Sequence, residues 1–499
     1  MILCWFRNDL RLHDHPALHA AVAQGPVVPV YVLDPRQLTR TGYGFSRLGP
    51  YRAQFVREGL ADLRARLQAL GSDLVIAQGL PEAVLPALAV QYGAQALHYC
   101  HATGTEEAAT EAAVVEALQA VGCAARGHEG QTLLHPNDLP LPLEALPEVF
   151  TDFRKVVEGR TLVRPPLPAP TRLSSPPLEP TPLPTWDELG HTPPTPDPRA
   201  VLPFVGGETA ALARLEDYFW HADRLRHYKD TRNGLLGADY STKFSPWLAQ
   251  GSLSPRWVYA EIRRYERERH RGEGSYWLFF ELLWRDYFHF IARKHGSRLF
   301  RVGGLRGAHS YPWQTDSHLF EAWAQGRTGY PILDANLREL AQTGFMSNRG
   351  RQLVASFLTK NLGLDWRLGA EWFESLLIDY DPASNYGNWN YLAGIGNDAR
   401  GFRYFHPGVQ AEKYDPQSHY IKHWLPELAT VPPARLLRYW EHAPADLAPA
   451  ADYPPPIVPL EASLATNEAR YQAALPDRKR RLGNYKIKRV QRHLGNKTR

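Results

Sequence analysis

Five side chains between Leu377 and Tyr391 carry the strongest chemical signal in the chain: Asp379, Asp381, Asn385, Trp389 and Tyr391. Carboxylates and carboxamides hydrogen-bond the edges of polar rings, while Trp and Tyr cover ring faces. The set fits the wall of a pocket for a flat, nitrogen-rich ring. Asp381-Pro382 and Asn385-Tyr-Gly387 are turn formers, so the stretch is expected to be a polar loop between two apolar helical segments. The competing reading is a capped helix–helix turn whose aromatics are core.

Three further clusters could do related chemistry. Glu281, Trp284, Arg285 and Phe288 share one face of a helix that opens at Tyr276. Glu281 and Arg285, four residues apart in the favourable order, are expected to form an ion pair buried among aromatics. Ser241-Thr-Lys-Phe-Ser245, followed by Pro246, places hydroxyls where a helix begins, a turn that either binds phosphate or caps the helix. Ser347-Asn348-Arg-Gly-Arg351-Gln352 opens another helix with an amide and two cations near its start.

Other features narrow the classes. His13-Asp-His15 and His98-Tyr-Cys-His101 look metal-like, but both stand at strand ends or helix starts, where capping explains them; no metal is expected. Three cysteines are too few for a four-thiolate iron–sulfur cluster and fit a reducing compartment. No apolar run of about 18 residues and no secretory leader occur, so a cytoplasmic protein with no membrane partner is expected. Between Arg478 and Arg499 ten Lys or Arg stand with no acid, an arm that raises non-specific affinity for nucleic acid.

The elements that must position these residues alternate at first. Short apolar runs at 2–6, 27–33, 74–77, 96–100 and 123–127 are separated by helical patterns at 50–70, 81–92 and 105–121 and a helix expected to be capped by Asp14, with Pro16 in its first turn. This predicts an α/β domain over 1–130 with a doubly wound, five-stranded parallel sheet. No G-x-G-x-x-G and no P-loop follows the first strand. A Pro-rich linker is expected over 131–205, because 164–203 holds 14 prolines in 40 residues. A helical domain is expected over 206–430, with helices near 209–220, 255–268, 276–296, 319–325, 334–343, 349–362 and 370–378. The remainder, 431–499, is expected to be irregular with a basic tail.

Asp379, Asp381, Asn385, Trp389 and Tyr391, followed by Gly396-Asn-Asp-Ala-Arg400, resemble the flavin pocket of the photolyase/cryptochrome family. The wording Ser384-Asn-Tyr-Gly-Asn-Trp-Asn-Tyr391 is closest to its DASH-type members. The resemblance runs from about residue 2 to about residue 428. It implies FAD held by Tyr228, Ser241, Thr242, Lys243, Phe244, Ser245, Arg285, Asn348, Arg351, Asp379, Asp381 and Asn385. It implies a lesion pocket of Glu281, Trp284, Asn348 and Tyr391, and DNA contacts from Arg232, Arg349, Gln352 and Arg403. Gln352 and Tyr391 stand where other photolyases carry Met and Trp. Trp389, Trp366 and Trp313 match the family's electron relay. Ala102 stands where folate-binding relatives carry Glu, which puts a methenyltetrahydrofolate antenna in doubt.

The implied activity is blue-light-driven repair of cyclobutane pyrimidine dimers, chiefly in single-stranded DNA, by a monomer whose excited reduced FAD donates an electron. The rivals are a blue-light receptor on the same fold with little repair, and a light-independent nucleotide- or RNA-binding flavoprotein.

Overall fold

The computed structural model describes residues 1–308, 310–398, 401–442 and 453–475. Its first part is strand β1 (Ile2–Phe6), helix α1 (Pro16–Gln24), β2 (Val27–Leu33), α2 (Pro50–Ala69), β3 (Val75–Gln78), α3 (Pro81–Gln91), β4 (Ala96–Cys100), α4 (Thr105–Ala120) and β5 (Ala124–His128). The strands pair in parallel in the order β3-β2-β1-β4-β5, with Ile2 opposite both Val27 and Ala96. Alternate residues of β1 enter two separate apolar cores, Ile2, Cys4 and Phe6 on one face, Leu3 and Trp5 on the other. Burial on both faces explains why the strands read as continuous apolar runs. The doubly wound sheet is as expected.

Residues 131–205 are more than a connection. They contain α5 (Phe150–Val157), whose Phe150, Phe153, Val156 and Val157 are buried in the core of the helical part. The Pro-rich run beyond it is extended and docked on the sheet domain. Val27 N–H donates to Ser174 O (2.8 Å), Leu173 N–H to Leu70 O (2.9 Å) and Ile76 N–H to Thr181 Oγ1 (2.8 Å). Backbone groups that prolines leave without a ladder are thus satisfied across the surface.

The helical part comprises α6 (Glu208–Glu216), α7 (Tyr228–Thr231), α8 (Ser245–Gln250), α9 (Pro255–Glu268), α10 (Glu273–His295), α11 (Ser317–Ala324), α12 (Pro331–Thr343), α13 (Asn348–Lys360), α14 (Trp366–Leu376), α15 (Pro382–Ala393), α16 (Pro407–Tyr414), α17 (His419–Trp424), α18 (Pro433–Leu436) and α19 (Leu460–Ala474). Two expectations are corrected. The stretch after Asp381 is not a loop but helix α15: Asp381 accepts from Ser384 N–H (2.6 Å) as N-cap and Pro382 takes the first helical position. Asp-Pro marks a helix start here, the alternative meaning of the same dipeptide. The region after 431 is not irregular throughout, since Ala- and Glu-rich α19 packs Leu460 and Tyr471 into the main core. The basic tail lies outside the described residues.

The two parts are joined by buried polar contacts. His13 donates from Nδ1 to Glu208 (2.7 Å) and accepts from Ser254 N–H (3.2 Å). Asp14 does not cap α1, whose N-cap is His15; its carboxylate pairs with Arg256 (2.5 Å) instead, and Arg11 reaches Gly251 O (2.7 Å).

Candidate active site

A cavity of 560 Å³ opens in the helical part, walled by α8, α10, α13 and α15 together with the turn before α8. Of the residues singled out above, Tyr228, Arg232, Ser241, Thr242, Lys243, Phe244, Ser245, Glu281, Trp284, Arg285, Asn348, Arg349, Arg351, Gln352, Asp379, Asp381, Asn385, Trp389, Tyr391 and Arg403 all line it. Trp366 and Trp313 do not. Trp366 is fully buried behind the wall, donating to Val302 O (3.1 Å), and Trp313 is half-buried against Tyr311 at 4.1 Å between ring centroids.

The inner wall comes from α13, α15 and the turn between α14 and α15. Arg351 donates to Asp379 Oδ2 (2.8 Å) and to Met346 O (2.9 Å), while Asp379 Oδ1 is buried with no protein partner. Asn385 donates to Ala370 O (2.9 Å), which fixes its carbonyl oxygen relative to the cavity. Asp381 faces buried His289 (3.3 Å), and this interaction, together with Arg285 nearby, holds its carboxyl well below the usual range despite burial. Trp389 is 2% exposed and packs on Phe373 (5.1 Å) and Trp323 (6.5 Å). Gly369 makes room for it: a Cβ there would stand 2.1 Å from the indole.

One end of the cavity is the turn 241–245. Arg214, which sequence reasoning missed, gathers the carbonyl oxygens of Ala238, Ser241 and Thr242 at 3.1, 3.3 and 3.2 Å. Helix α8 starts without any side-chain cap, so capping does not account for the hydroxyls of this turn. Lys243 adopts φ 57°, the left-handed region disfavoured for a residue with a Cβ. Its Nζ lies 3.1 Å from the Tyr240 ring centroid without a hydrogen-bond partner, and burial pushes its pKa well down.

The expected Glu281–Arg285 pair is absent. Glu281 pairs with Arg232, which also lies over the Trp277 ring at 4.6 Å. Arg285 donates to Gln131 O (2.5 Å) and Leu248 O (3.3 Å) instead. A residue four positions away on a helix is a near neighbour, but backbone carbonyls of two separate segments, at Gln131 and Leu248, captured the guanidinium. Burial raises the Glu281 pKa, opposed by Arg232. Trp284 stacks at 3.6 Å and 11° on Phe150, from the segment expected to be linker, and meets Tyr391 edge-on at 5.9 Å. Arg403 donates to Tyr391 Oη (3.2 Å); Arg349 donates to Gln352 (2.7 Å) and Asn233 (2.9 Å) and stacks on Tyr414 (4.7 Å). Asn348 is exposed at the first position of α13.

Two family models match the chain: one described as DNA photolyase over residues 2–171, one as the FAD binding domain of DNA photolyase over residues 277–473. The cryptochrome DASH of Gloeobacter violaceus is 54% identical over 480 residues, covering 95% of this chain and 96% of that protein. The chain belongs to the photolyase/cryptochrome family, with the DASH cryptochromes. The cryptochrome of Synechocystis, known from its crystal structure, superposes with a TM-score of 0.91 at 50% identity, covering 94% of this chain and 98% of that one. A class III photolyase from Agrobacterium tumefaciens superposes with a TM-score of 0.82 at 31% identity, covering 95% and 98%.

The cofactor of this family's helical domain is FAD, and the cavity suits it. It combines an uncapped hydroxyl-rich turn at one end, an unpartnered buried carboxylate oxygen on Asp379 and aromatic walls. Buried polar atoms left without a protein partner point to a polar ligand.

The metal-like clusters have other partners. His15 Nδ1 accepts from Leu18 N–H (3.0 Å), which leaves its proton on Nε2 facing Asp9 (3.1 Å). Asp9, His15 and Cys100 do converge, all buried, but this tautomer presents N–H, not a lone pair, to the other two. His98 and His128 are hydrogen-bonded to each other (2.9 Å), and His101 to Glu111 (2.8 Å). No helix among the described residues is long and apolar enough to cross a membrane.

Proposed function

We propose that the protein is a blue-light-driven deoxyribodipyrimidine photolyase that splits cyclobutane pyrimidine dimers, chiefly in single-stranded DNA. The observation that carries this reading is the second half of the cavity. Glu281 with Arg232, the open face of Trp284, and Tyr391 with Arg403 line the same space as Asp379, Asp381 and Trp389. A sensor that only needed to hold flavin would have no use for them.

In this reading Tyr228, the 241–245 turn, Arg285, Asn348, Arg351, Asp379, Asp381 and Asn385 hold the cofactor. When bound, FAD would supply the light-driven electron-transfer chemistry. Trp284, backed by Phe150, offers its other face to the flipped dimer. Glu281, its pKa raised by burial, holds a proton or accepts one N–H at the pyrimidine edge. Asn348 and Tyr391 supply further donors. Arg349, Gln352, Arg403 and Arg232 position the strand at the rim, where cations meet phosphates. A single strand removes most of the cost of flipping. Trp389, Trp366 and Trp313 relay electrons to oxidised flavin. The test is repair of a thymine dimer in a single-stranded oligonucleotide under blue light against a dark control.

A further inference from the structure

We propose that His289 is a positioning residue for the flavin. By facing Asp381 with Nε2 at close range and bonding Thr103 through Nδ1, it holds Asp381 as an ionised carboxylate in the cavity wall and so sets the flavin's reduction potential. This concerns the cofactor rather than DNA, and stands whether or not repair is the activity.

The geometry joins the two parts of the molecule through one hydrogen bond, His289 to Thr103, and one close approach, His289 to Asp381. His289, on α10, is fully buried. Its Nε2 lies 3.3 Å from Asp381 Oδ2, and its Nδ1 lies 3.0 Å from Thr103 Oγ1, on the turn between β4 and α4. Gln131 Oε1 accepts from Thr103 N–H (3.1 Å) and anchors that turn. Asp381 Oδ1 is taken by Ser384 N–H (2.6 Å). Arg285 lies close enough to act electrostatically, but its guanidinium donates to Gln131 O and Leu248 O. Among the described residues, His289 is thus the side chain placed to donate to Asp381.

Charge and burial settle the protonation pattern. A carboxylate opposite Nε2 requires a proton on that nitrogen, and burial pushes the His289 pKa down, so the ring is neutral. Nδ1 is then an acceptor, and the Thr103 hydroxyl turns its proton to it (3.0 Å) rather than to Gln131 Oε1 (3.3 Å). The carboxylate of Asp381 selects this tautomer, Thr103 accommodates it, and the tautomer keeps Asp381 charged. A fixed negative charge beside a ring that gains electrons disfavours its reduction. Remove the donor, and a buried carboxylate relaxes toward its neutral form.

The test compares midpoint potentials and flavin occupancy in His289→Leu, His289→Gln and Thr103→Val, with FAD bound. Gln donates through its amide and accepts through its carbonyl, so H289Q is expected near the wild-type potential. H289L is expected to bind FAD with its reduction equilibrium shifted about tenfold toward the reduced form, about 30 mV upward for a two-electron couple. T103V should move the same way by less. Equal potentials in H289L and the wild type, at equal flavin occupancy, overturn the proposal. Where a variant fails to fold, nitrogen NMR of histidine-labelled wild-type holoprotein in the dark decides. A neutral Nε2–H ring at His289 supports it, and an Nδ1–H tautomer or an imidazolium overturns it.

Discussion

Glu281 forms its ion pair with Arg232, 49 residues earlier in the chain, and not with Arg285 one turn along its own helix. The pair stands at the cavity wall with side chains 29% and 21% exposed, so either partner can be reached by a ligand. Glu281→Gln is therefore expected to leave flavin occupancy and melting temperature near wild type while lowering dimer binding. The loss should be on the order of 1–3 kcal/mol, the range for one charge-assisted hydrogen bond. Occupancy, melting and repair yield measured on one preparation separate the roles. A variant that loses flavin and stability together, with normal repair per bound flavin, would make Glu281 scaffolding.

Trp389 is the one member of the proposed relay that reaches the cavity. Trp389→Phe keeps aromatic volume in a site already tight against Gly369 but is much harder to oxidise. Photoreduction of oxidised FAD should slow by at least tenfold with flavin content unchanged. Repair by chemically reduced enzyme should persist. Photoreduction at the wild-type rate would remove Trp389 from the relay.

Folate retention should be weak. Ala102 contributes only its backbone, donating to Glu111 (2.8 Å), where a carboxylate would have to meet a pterin's amide and amino edge. An unmatched donor pair costs about 1–3 kcal/mol. Absorbance of the purified protein checks this, and a stoichiometric near-ultraviolet folate band would mean that another group takes the role.

Glu107 gives a pH signature. Burial, with Glu106 and Asp381 nearby, pushes its carboxyl from 4.5 up to about 7. The folded state then holds a proton that the unfolded state has released, so stability falls as pH rises from about 4.5 to about 7 and the penalty is complete above that. Glu107→Gln should be more stable than wild type at pH 8, on the order of 1 kcal/mol because solvent screens a partly covered group, and no more stable at pH 4. Melting temperatures at both pH values test it. A gain of equal size at both would refute the assignment.

The sheet was legible because strands buried on both faces leave unbroken apolar runs, and the cavity wall because Asp379, Asp381, Asn385 and Trp389 are close in sequence. Long-range partners were not legible. Arg232 reaching Glu281, Phe150 backing Trp284, Arg214 behind the 241–245 turn and Thr103 beneath His289 are choices made by tertiary packing, which local spacing does not encode. Asp381-Pro382 reads equally as a turn or as a helix cap, and the helical packing of residues 382–393 against their neighbours decides between them. Phe150 was within reach: α5 repeats apolar residues at 150, 153, 156 and 157, a helical stripe inside the span expected to be linker.

Light-dependent repair tests the central claim most directly. A single-stranded oligonucleotide carrying one thymine dimer, incubated with fully reduced protein, should lose the dimer under blue light and keep it in the dark. Trp284→Ala, which removes the ring stacked on Phe150, should lower the yield at equal flavin content. Intact dimers after illumination, with full flavin occupancy and the flavin still reduced in the same sample, would contradict the account and favour a light receptor on this fold.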